Sequence, residues 1–327
     1  MTGYYLTDEQ FIEEWSKYGS PKLMGAAHKL SPRSVMNRRL AIETRHGIKL
    51  ETFNSQRDPK KERPTRERLS KIDQTDGHVR RGREMEKGKV IVFSDAHFWP
   101  DNFTTAFKAL LLFIKEFRPQ VIVANGDMFD GASTSRFPRL DWSVLPTVKQ
   151  ELEACQYFMG EIEKVAKGAE LIWTLGNHDS RFEGYMINNA PALEGLPGTS
   201  LKDHFPMWKP CYSYWVNEDT CIKHRWKGGW TAGHNNTLQS GVNMITGHTH
   251  VLAVQPWSDM NGTRYGVQTG TLADPLATQF AYMEDHPRNW RSGFALLSFE
   301  EGRLLMPELV QVCGDGEVEF RGCINRV

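Results

Sequence analysis

The sequence predicts an α/β protein, a two-sheet sandwich flanked by helices, with a small all-α domain at its N-terminal end. Three observations predict it. From Lys89 onward, short apolar runs and helical stretches follow one another as strand, helix, strand, helix, strand. That order implies parallel strands joined by right-handed crossovers. Each of those strands runs into a polar cluster, and a second series of strand-like runs follows from about Tyr212. Before Lys89, by contrast, helix-start and helix-stop signals predominate.

In chain order, Thr7-Asp8-Glu9-Gln10 fits a capping box, followed by Phe11, Ile12 and Trp15 at helical spacing to about Tyr18. Gly19-Ser20-Pro21 ends that helix and opens a second, with Leu23, Met24 and Ala27 on its apolar side. Ser31-Pro32 supplies an N-cap and a first helical residue for a third helix, which has Val35, Met36, Leu40 and Ile42 inward and Gly47 as its stop. Three short helices with a tight second connection resemble a helix-turn-helix module over residues 1–50. Its third helix would present Arg33, Ser34, Asn37 and Arg38 near its start, where recognition helices meet base edges and phosphates. A solvated helical cap is the bland alternative.

Residues 51–88 read as a basic linker, poor in large apolar groups. The body, 89–327, then opens with Val90–Phe93 as a buried strand ending in Ser94-Asp95-Ala96-His97. A helix over about 104–117 leads to the strand Val121–Ala124 and the cluster Asn125-Gly126-Asp127-Met128-Phe129-Asp130. A longer helix over about 142–167 leads to the strand Glu170–Leu175 and Gly176-Asn177-His178-Asp179. Residues 182–209, rich in Pro and Gly, read as an irregular excursion over the sheet edge. Strands follow near 212–216 and 220–224, a short helix near 235–240, and the strand Val242–Ile245, which ends in Thr246-Gly247-His248-Thr249-His250. The runs 251–255, 264–268, 293–299 and 303–312 suggest an antiparallel set.

Composition excludes several classes. No apolar run approaches a membrane span, and the first residues do not resemble a secretory signal. Five scattered cysteines without a C-x-x-C pair suit reduced thiols in a cytoplasmic protein. The net charge of zero conceals a split. Residues 1–89 hold 20 Lys and Arg against 13 Asp and Glu, whereas the remainder holds 20 against 27. A basic N-terminal part on an acidic body points to an anionic partner for the former.

Because every polar cluster follows a strand, Asp95, His97, Asp127, Asn177, His248 and His250 gather at the carboxyl edge of a sheet, where open α/β sheets bind ligands. All are oxygen or nitrogen ligands of hard or borderline character, which suits Mn²⁺, Fe, Zn²⁺ or Mg²⁺. One central carboxylate can bridge two cations about 3.5–4 Å apart, the spacing of two-metal hydrolases.

Asp95-x-His97, Gly126-Asp127-x-x-Asp130, Gly176-Asn177-His178-Asp179 and Gly247-His248-Thr249-His250, in that order, resemble the motifs of the calcineurin-like metallophosphoesterase family. The resemblance covers about residues 89–310. It implies two divalent metal ions, Mn first, with Mg, Fe or Zn as alternatives. Asp95, His97 and His250 would hold the first metal and Asp127 would bridge. Asn177 and His248 would hold the second, with one further histidine: His224, although Arg225 stands where the family usually has Gly, or its rival His234. His178 would face the leaving group as general acid or steady the phosphoryl oxygens, with Asp179 accepting its other ring proton. Asp130 would orient ligands or, equally, sit as a helix N-terminal carboxylate. The implied reaction is in-line attack on phosphorus by a metal-bridging hydroxide.

The motifs do not separate monoesters from diesters. The basic N-terminal module favours DNA, and hence a nuclease, guided to a nick by that module. The combination resembles proteins carried by bacteriophages, which would place it in the host cytoplasm. Trp208, Trp215, Trp226 and Trp230 could stack bases. The alternatives are a phosphatase or cyclic-nucleotide phosphodiesterase acting on a small molecule or protein, and a DNA-binding regulator with an inactive hydrolase scaffold.

Overall fold

The computed structural model describes residues 6–52, 80–136, 145–286 and 288–327. They fall into two compact units with separate cores, divided between residues 52 and 80.

In the N-terminal unit, the capping box at Thr7 starts α1 (Asp8–Tyr18), and Gly19 ends it in the left-handed conformation. α2 (Pro21–Ala27) and α3 (Pro32–His46) follow, with Ser31 capping α3 through the Ser34 amide. Phe11, Trp15, Met24, Val35, Ile42 and Leu50 form the core. Leu23, Ala27 and Leu40, expected inward, are exposed. The reason for the first two lies at Gly25. α2 meets the chain entering α3 with its backbone, since a Cβ on Gly25 would stand 2.7 Å from the Leu30 carbonyl oxygen.

The second unit starts earlier than the sequence suggested. β1 (Arg81–Arg83) and the buried Met85 belong to it, and residues 53–79 of the expected linker lie outside the described residues. β2 (Gly88–Phe93), α4 (Thr105–Phe117), β3 (Val121–Ala124), α5 (Val148–Val165) and β4 (Glu170–Thr174) form the predicted alternating unit. Within the region read as irregular, Asp179–Asn189 is a helix, α6. The chain continues through β5 (Lys209–Cys211), β6 (Tyr214–Val216), β7 (Thr220–Lys223), α7 (Ala232–Ser240), β8 (Asn243–Thr246), β9 (Leu252–Asp259) and β10 (Gly262–Thr269). It ends with β11 (Gly293–Glu300), β12 (Arg303–Leu304), β13 (Glu308–Gly314), β14 (Glu317–Phe320) and β15 (Cys323–Arg326).

The larger sheet runs β15-β14-β13-β11-β2-β3-β4-β5, with β12 on β11, and the smaller runs β1-β6-β7-β8-β10-β9. β2 to β5 are parallel, as predicted. The later strands do not form one antiparallel set. β9 and β10 sit in the smaller sheet, where β10 runs parallel to β8. The expected single strand over 303–312 is split at Pro307, which has no amide to give to a ladder.

The apolar runs are continuous because both faces of the larger sheet are covered. Val90, Val92, Val121, Val123 and Ile172 pack with Tyr214, Ile222, Ile245 and Val267 of the smaller sheet. The alternate residues Ile91, Phe93, Ile122, Ala124 and Trp173 pack with Leu110 and Phe113 of α4 and Phe158 and Ile162 of α5. Sandwiching puts the ends of β2, β3 and β4 against those of β7 and β8. That junction holds the polar clusters.

Candidate metal centre

Each strand end contributes one or two side chains, and the backbone bends sharply to aim them. Asp95, His97, Asp127, His248 and His250 all have positive φ, between 41° and 69°. For residues other than glycine such conformations cost about 1–3 kcal/mol each and persist where surrounding structure enforces them. The glycines beside them serve close approach. A Cβ on Gly247 would lie 2.7 Å from an Asp95 carboxylate oxygen, and one on Gly176 would lie 2.0 Å from Oδ1 of Asp127. At Gly247 φ is not positive, so the constraint there is the carboxylate packed on it.

Two groups of ligand atoms result, Asp95–His97–His250 and Asp127–His224–His248, each within 4.8 Å. The first is buried throughout, whereas the second opens to solvent at His248. Asp95 accepts the His248 amide at 2.8 Å and lies 3.2 Å from Nε2 of His250. Oδ2 of Asp127 lies 3.1 Å from Nε2 of His224, while Oδ1 accepts the His178 amide at 2.8 Å. His224 is held from behind, its Nδ1 2.8 Å from the Asn125 carbonyl oxygen. The rival His234 instead packs its ring on Trp257, at 5.0 Å.

These residues fit a pair of divalent cations by a specific test. Nε2 of His97, Nδ1 of His250 and Oδ1 of Asn177 are buried without a hydrogen-bond partner, and Nε2 of His224, although 3.1 Å from Asp127, makes no hydrogen bond to it. Leaving several such atoms unsatisfied in one place is costly, at about 1–3 kcal/mol each. Cations bound between the carboxylates would satisfy them together.

The electrostatics agree. Burial alone would neutralise Asp95, but His250 and His224 hold its carboxyl below the usual range. Burial opposes ionisation at Asp127 too, yet His224 holds that carboxyl well below normal. At His224, burial favours the neutral ring, but Asp127 and Asp95 outweigh it and push the imidazole up to about 10. A site so hungry for positive charge takes protons when it lacks metal. Burial lowers His97 and His248, favouring the neutral, ligating form.

Beside the two groups stands a third, His97–Asp130–His178. Oδ1 of Asp130 lies 2.7 Å from Nδ1 of His97 and 3.0 Å from Nδ1 of His178. Asp130 starts no helix; it orients both rings. Asp179, expected as the partner of His178, does not meet that ring. Its carboxylate accepts the amides of Gly176, Asp127, Met128 and Phe129 and the Trp173 indole N–H. It therefore ties the β3 and β4 loops together, although burial and Asp127 push it up to about 6. Burial favours a neutral His178, but the hydrogen bond it donates to Asp130, with the charge of Asp127, outweighs burial and raises that ring. Arg181 went unnoticed in the sequence: its Nη2 lies 3.1 Å from Nε2 of His178, and its Nη1 donates to the Asp130 carbonyl at 2.9 Å. It falls three residues past the histidine, one turn into a helix that the sequence did not announce.

The remaining candidates separate. In the helical unit, Arg33, Ser34 and Asn37 are exposed. Arg38 is half-buried, bonded through Nη2 to Asp8 at 2.7 Å and to the Leu6 carbonyl at 3.4 Å. It is engaged within its own unit. Of the four tryptophans, Trp208 is buried and donates to Glu163, and Trp215 is stacked under Arg80 at 3.9 Å. Trp226 and Trp230 are exposed.

Among known proteins, the chain is similar to the Gene 54 proteins of Mycobacterium phages L5 and D29. Each is 26% identical over 250 residues, covering 69% of this chain and 94% of the relative. A solved archaeal phosphodiesterase is 15% identical with a TM-score of 0.36, covering 68% of this chain and 99% of its own. Yfce, a phosphoesterase from E. coli, is also 15% identical, with a TM-score of 0.33 and coverage of 67% and 97%. The profile of the calcineurin-like phosphoesterase family matches residues 88–252, half of the chain. That stretch carries the ligand-bearing strands β2, β3, β4, β7 and β8, and the chain belongs to the calcineurin-like phosphoesterase family, as a metal-dependent phosphoesterase.

Proposed function

We propose that this protein cleaves phosphodiester bonds in DNA, using two divalent cations, Mn²⁺ foremost, and the N-terminal helices to hold the duplex. The observation that carries the chemistry is the pair of ligand groups facing each other with four buried, unpartnered donor atoms. The DNA substrate draws support from the basic N-terminal part and from Arg33, Ser34 and Asn37, exposed along one side of α3.

In this reading Asp95, His97 and His250 would hold one cation and Asn177, His224 and His248 the other, with Asp127 available to both. When bound, the cations lower the pKa of water and offset charge on the phosphoryl oxygens. His178 delivers a proton from Nε2 to the departing oxygen while Asp130 holds Nδ1. Arg181, beside that Nε2, meets a phosphoryl oxygen. Asp179 keeps the loops in register and takes no proton. A phage-encoded enzyme of this kind would work in the host cytoplasm.

The test is relaxation of supercoiled plasmid with Mn²⁺, comparing the full chain with one beginning at Arg80. A start nearer Glu86 would remove β1 and Met85 from the core. Open-circular product from the full chain, diminished in the shorter one, is expected. His178→Asn should abolish nicking and spare DNA binding. Hydrolysis of p-nitrophenyl phosphate with no cutting of plasmid by either chain would overturn the DNA substrate.

A further inference from the structure

Between His224 and α7 runs a loop, Arg225-Trp226-Lys227-Gly228-Gly229-Trp230, in which all six residues are exposed. Trp230 is 72% exposed and Trp226 46%, whereas the large core tryptophans are almost completely covered. Two indoles left in water cost free energy that burial elsewhere would recover. A floppy loop would explain them cheaply, but this backbone is pinned at both ends. Asn236, wholly buried, accepts the Lys227 amide at 3.1 Å and donates to the Lys227 carbonyl at 3.4 Å. The Trp230 carbonyl accepts Nε2 of Gln268 at 3.0 Å, and Oε1 of Gln268 accepts the Thr249 hydroxyl at 2.9 Å. The loop is thus fastened to His224 at one end and to the turn between His248 and His250 at the other. His248, the exposed ligand of the metal centre, adjoins that turn.

We propose that this loop is a strand-holding surface. Trp226 and Trp230 stack on unpaired bases, while Arg225 and Lys227 meet the phosphates on either side. The assignment rests on the DNA reading above. Charge favours a nucleic acid over a protein partner. The loop alternates cations with aromatic rings, neither cation is ion-paired with a described residue, and lysine is depleted from protein interfaces. Interleaved aromatic and cationic side chains are what single strands bind, since every base offers a π face. Unpaired bases would arise where a duplex is opened for its phosphate to reach a site sunk at the sheet junction.

The experiment measures binding of fluorescein-labelled dT20 and of a matched duplex to the full chain by anisotropy, at two salt concentrations. The Trp226→Ala/Trp230→Ala pair should weaken dT20 binding about tenfold or more, in line with the loss of base stacking. The corresponding Phe pair should retain most of it, and duplex binding should change less. Lys227→Ala should flatten the salt dependence of dT20 binding by about one unit of slope. Melting temperature checks folding. Unchanged dT20 affinity in the Ala pair, with plasmid still nicked, would overturn this loop's role alone. A wild-type dimer that the Ala pair dissolves into monomers would overturn it in favour of a protein interface. If the wild-type chain neither binds dT20 nor cuts plasmid yet hydrolyses p-nitrophenyl phosphate, the DNA reading itself falls and this inference with it.

Discussion

The helical unit and the two-sheet unit handle charge in opposite ways. In the helices, several cations are paired within the unit: Arg38 and Arg45 converge on Asp8, which the His46 ring also contacts, and Arg39 bonds Glu43 and the Leu50 carbonyl while lying over Trp15. Those groups are partly covered and each is matched by its partner, so little charge is left unpaired among them. In the sheets, Asp95, Asp127, His97 and His224 are buried, strained in backbone at three of the four, and only partly satisfied by one another. A protein that leaves charge unbalanced in its interior is built to receive something there. Half of the Lys and Arg side chains within residues 6–52 are ion-paired inside the helical unit, so fewer of them remain to meet a partner than the sequence implies.

Removing the central carboxylate breaks the comparison most severely. Asp127 contacts His224, accepts the His178 amide, and lies near enough to Asp95 and His97 of the other ligand group for its charge to act on them. Asp127→Asn should lower kcat at least about a thousandfold, because a cation contributes several kcal/mol at the phosphoryl group and each 1.4 kcal/mol is tenfold. It should also reduce bound metal from two equivalents per chain toward one or none by elemental analysis. Full metal content with full activity would remove Asp127 from the centre.

Much of this centre was legible because its strands are uninterrupted apolar runs and each is followed, in order along the chain, by a cluster of ligand-type residues. What stayed hidden is geometric. Left-handed φ at Asp95 or His250 leaves no trace in residue identity, since both types also occur in ordinary turns. Adjacency misled at His178-Asp179: α6 starts there and turns neighbouring side chains about 100° apart. Asp130, distant in sequence, lies against the ring instead. β1 was invisible because Arg81-Gly82-Arg83 has no apolar residue; backbone pairing with β6 makes it a strand.

Glu151 sharpens the contrast on a milder scale. It is buried in α5, with Oε1 accepting the Ala132 amide at 3.1 Å and Oε2 unpartnered, yet it belongs to neither ligand group. Burial, opposed by that amide and reinforced by Asp130, pushes its carboxyl up to about 8, from 4.5 for the unperturbed group. The folded chain therefore binds the proton more tightly than the unfolded one. Its contribution to stability is intact below the unfolded value and declines as pH rises through the folded value. Glu151→Gln keeps an acceptor for Ala132 and cannot ionise. Urea melts should show little difference from wild type at pH 5 and a gain at pH 9 of up to several kcal/mol, since each pKa unit is about 1.4 kcal/mol. Equal effects at both pH values would mean that Glu151 is charged in the native state.

The smallest effects separate two arginines on one helix. Arg33 and Asn37 lie four residues apart on the exposed side of α3, whereas Arg38, in the next column, is turned to Asp8 and the Leu6 carbonyl. If α3 meets duplex DNA, Arg33→Ala should weaken binding several-fold and reduce the salt slope by about one, as for a lost phosphate contact. Arg38→Ala should leave the salt slope nearly unchanged and lower the melting temperature of the helical unit. The contrast survives only if the two substitutions affect different observables. Should Arg38→Ala reduce the salt slope as much as Arg33→Ala, then Arg38 must leave Asp8 when DNA arrives. The charges of the helical unit would then be held in reserve, as those of the sheet junction are.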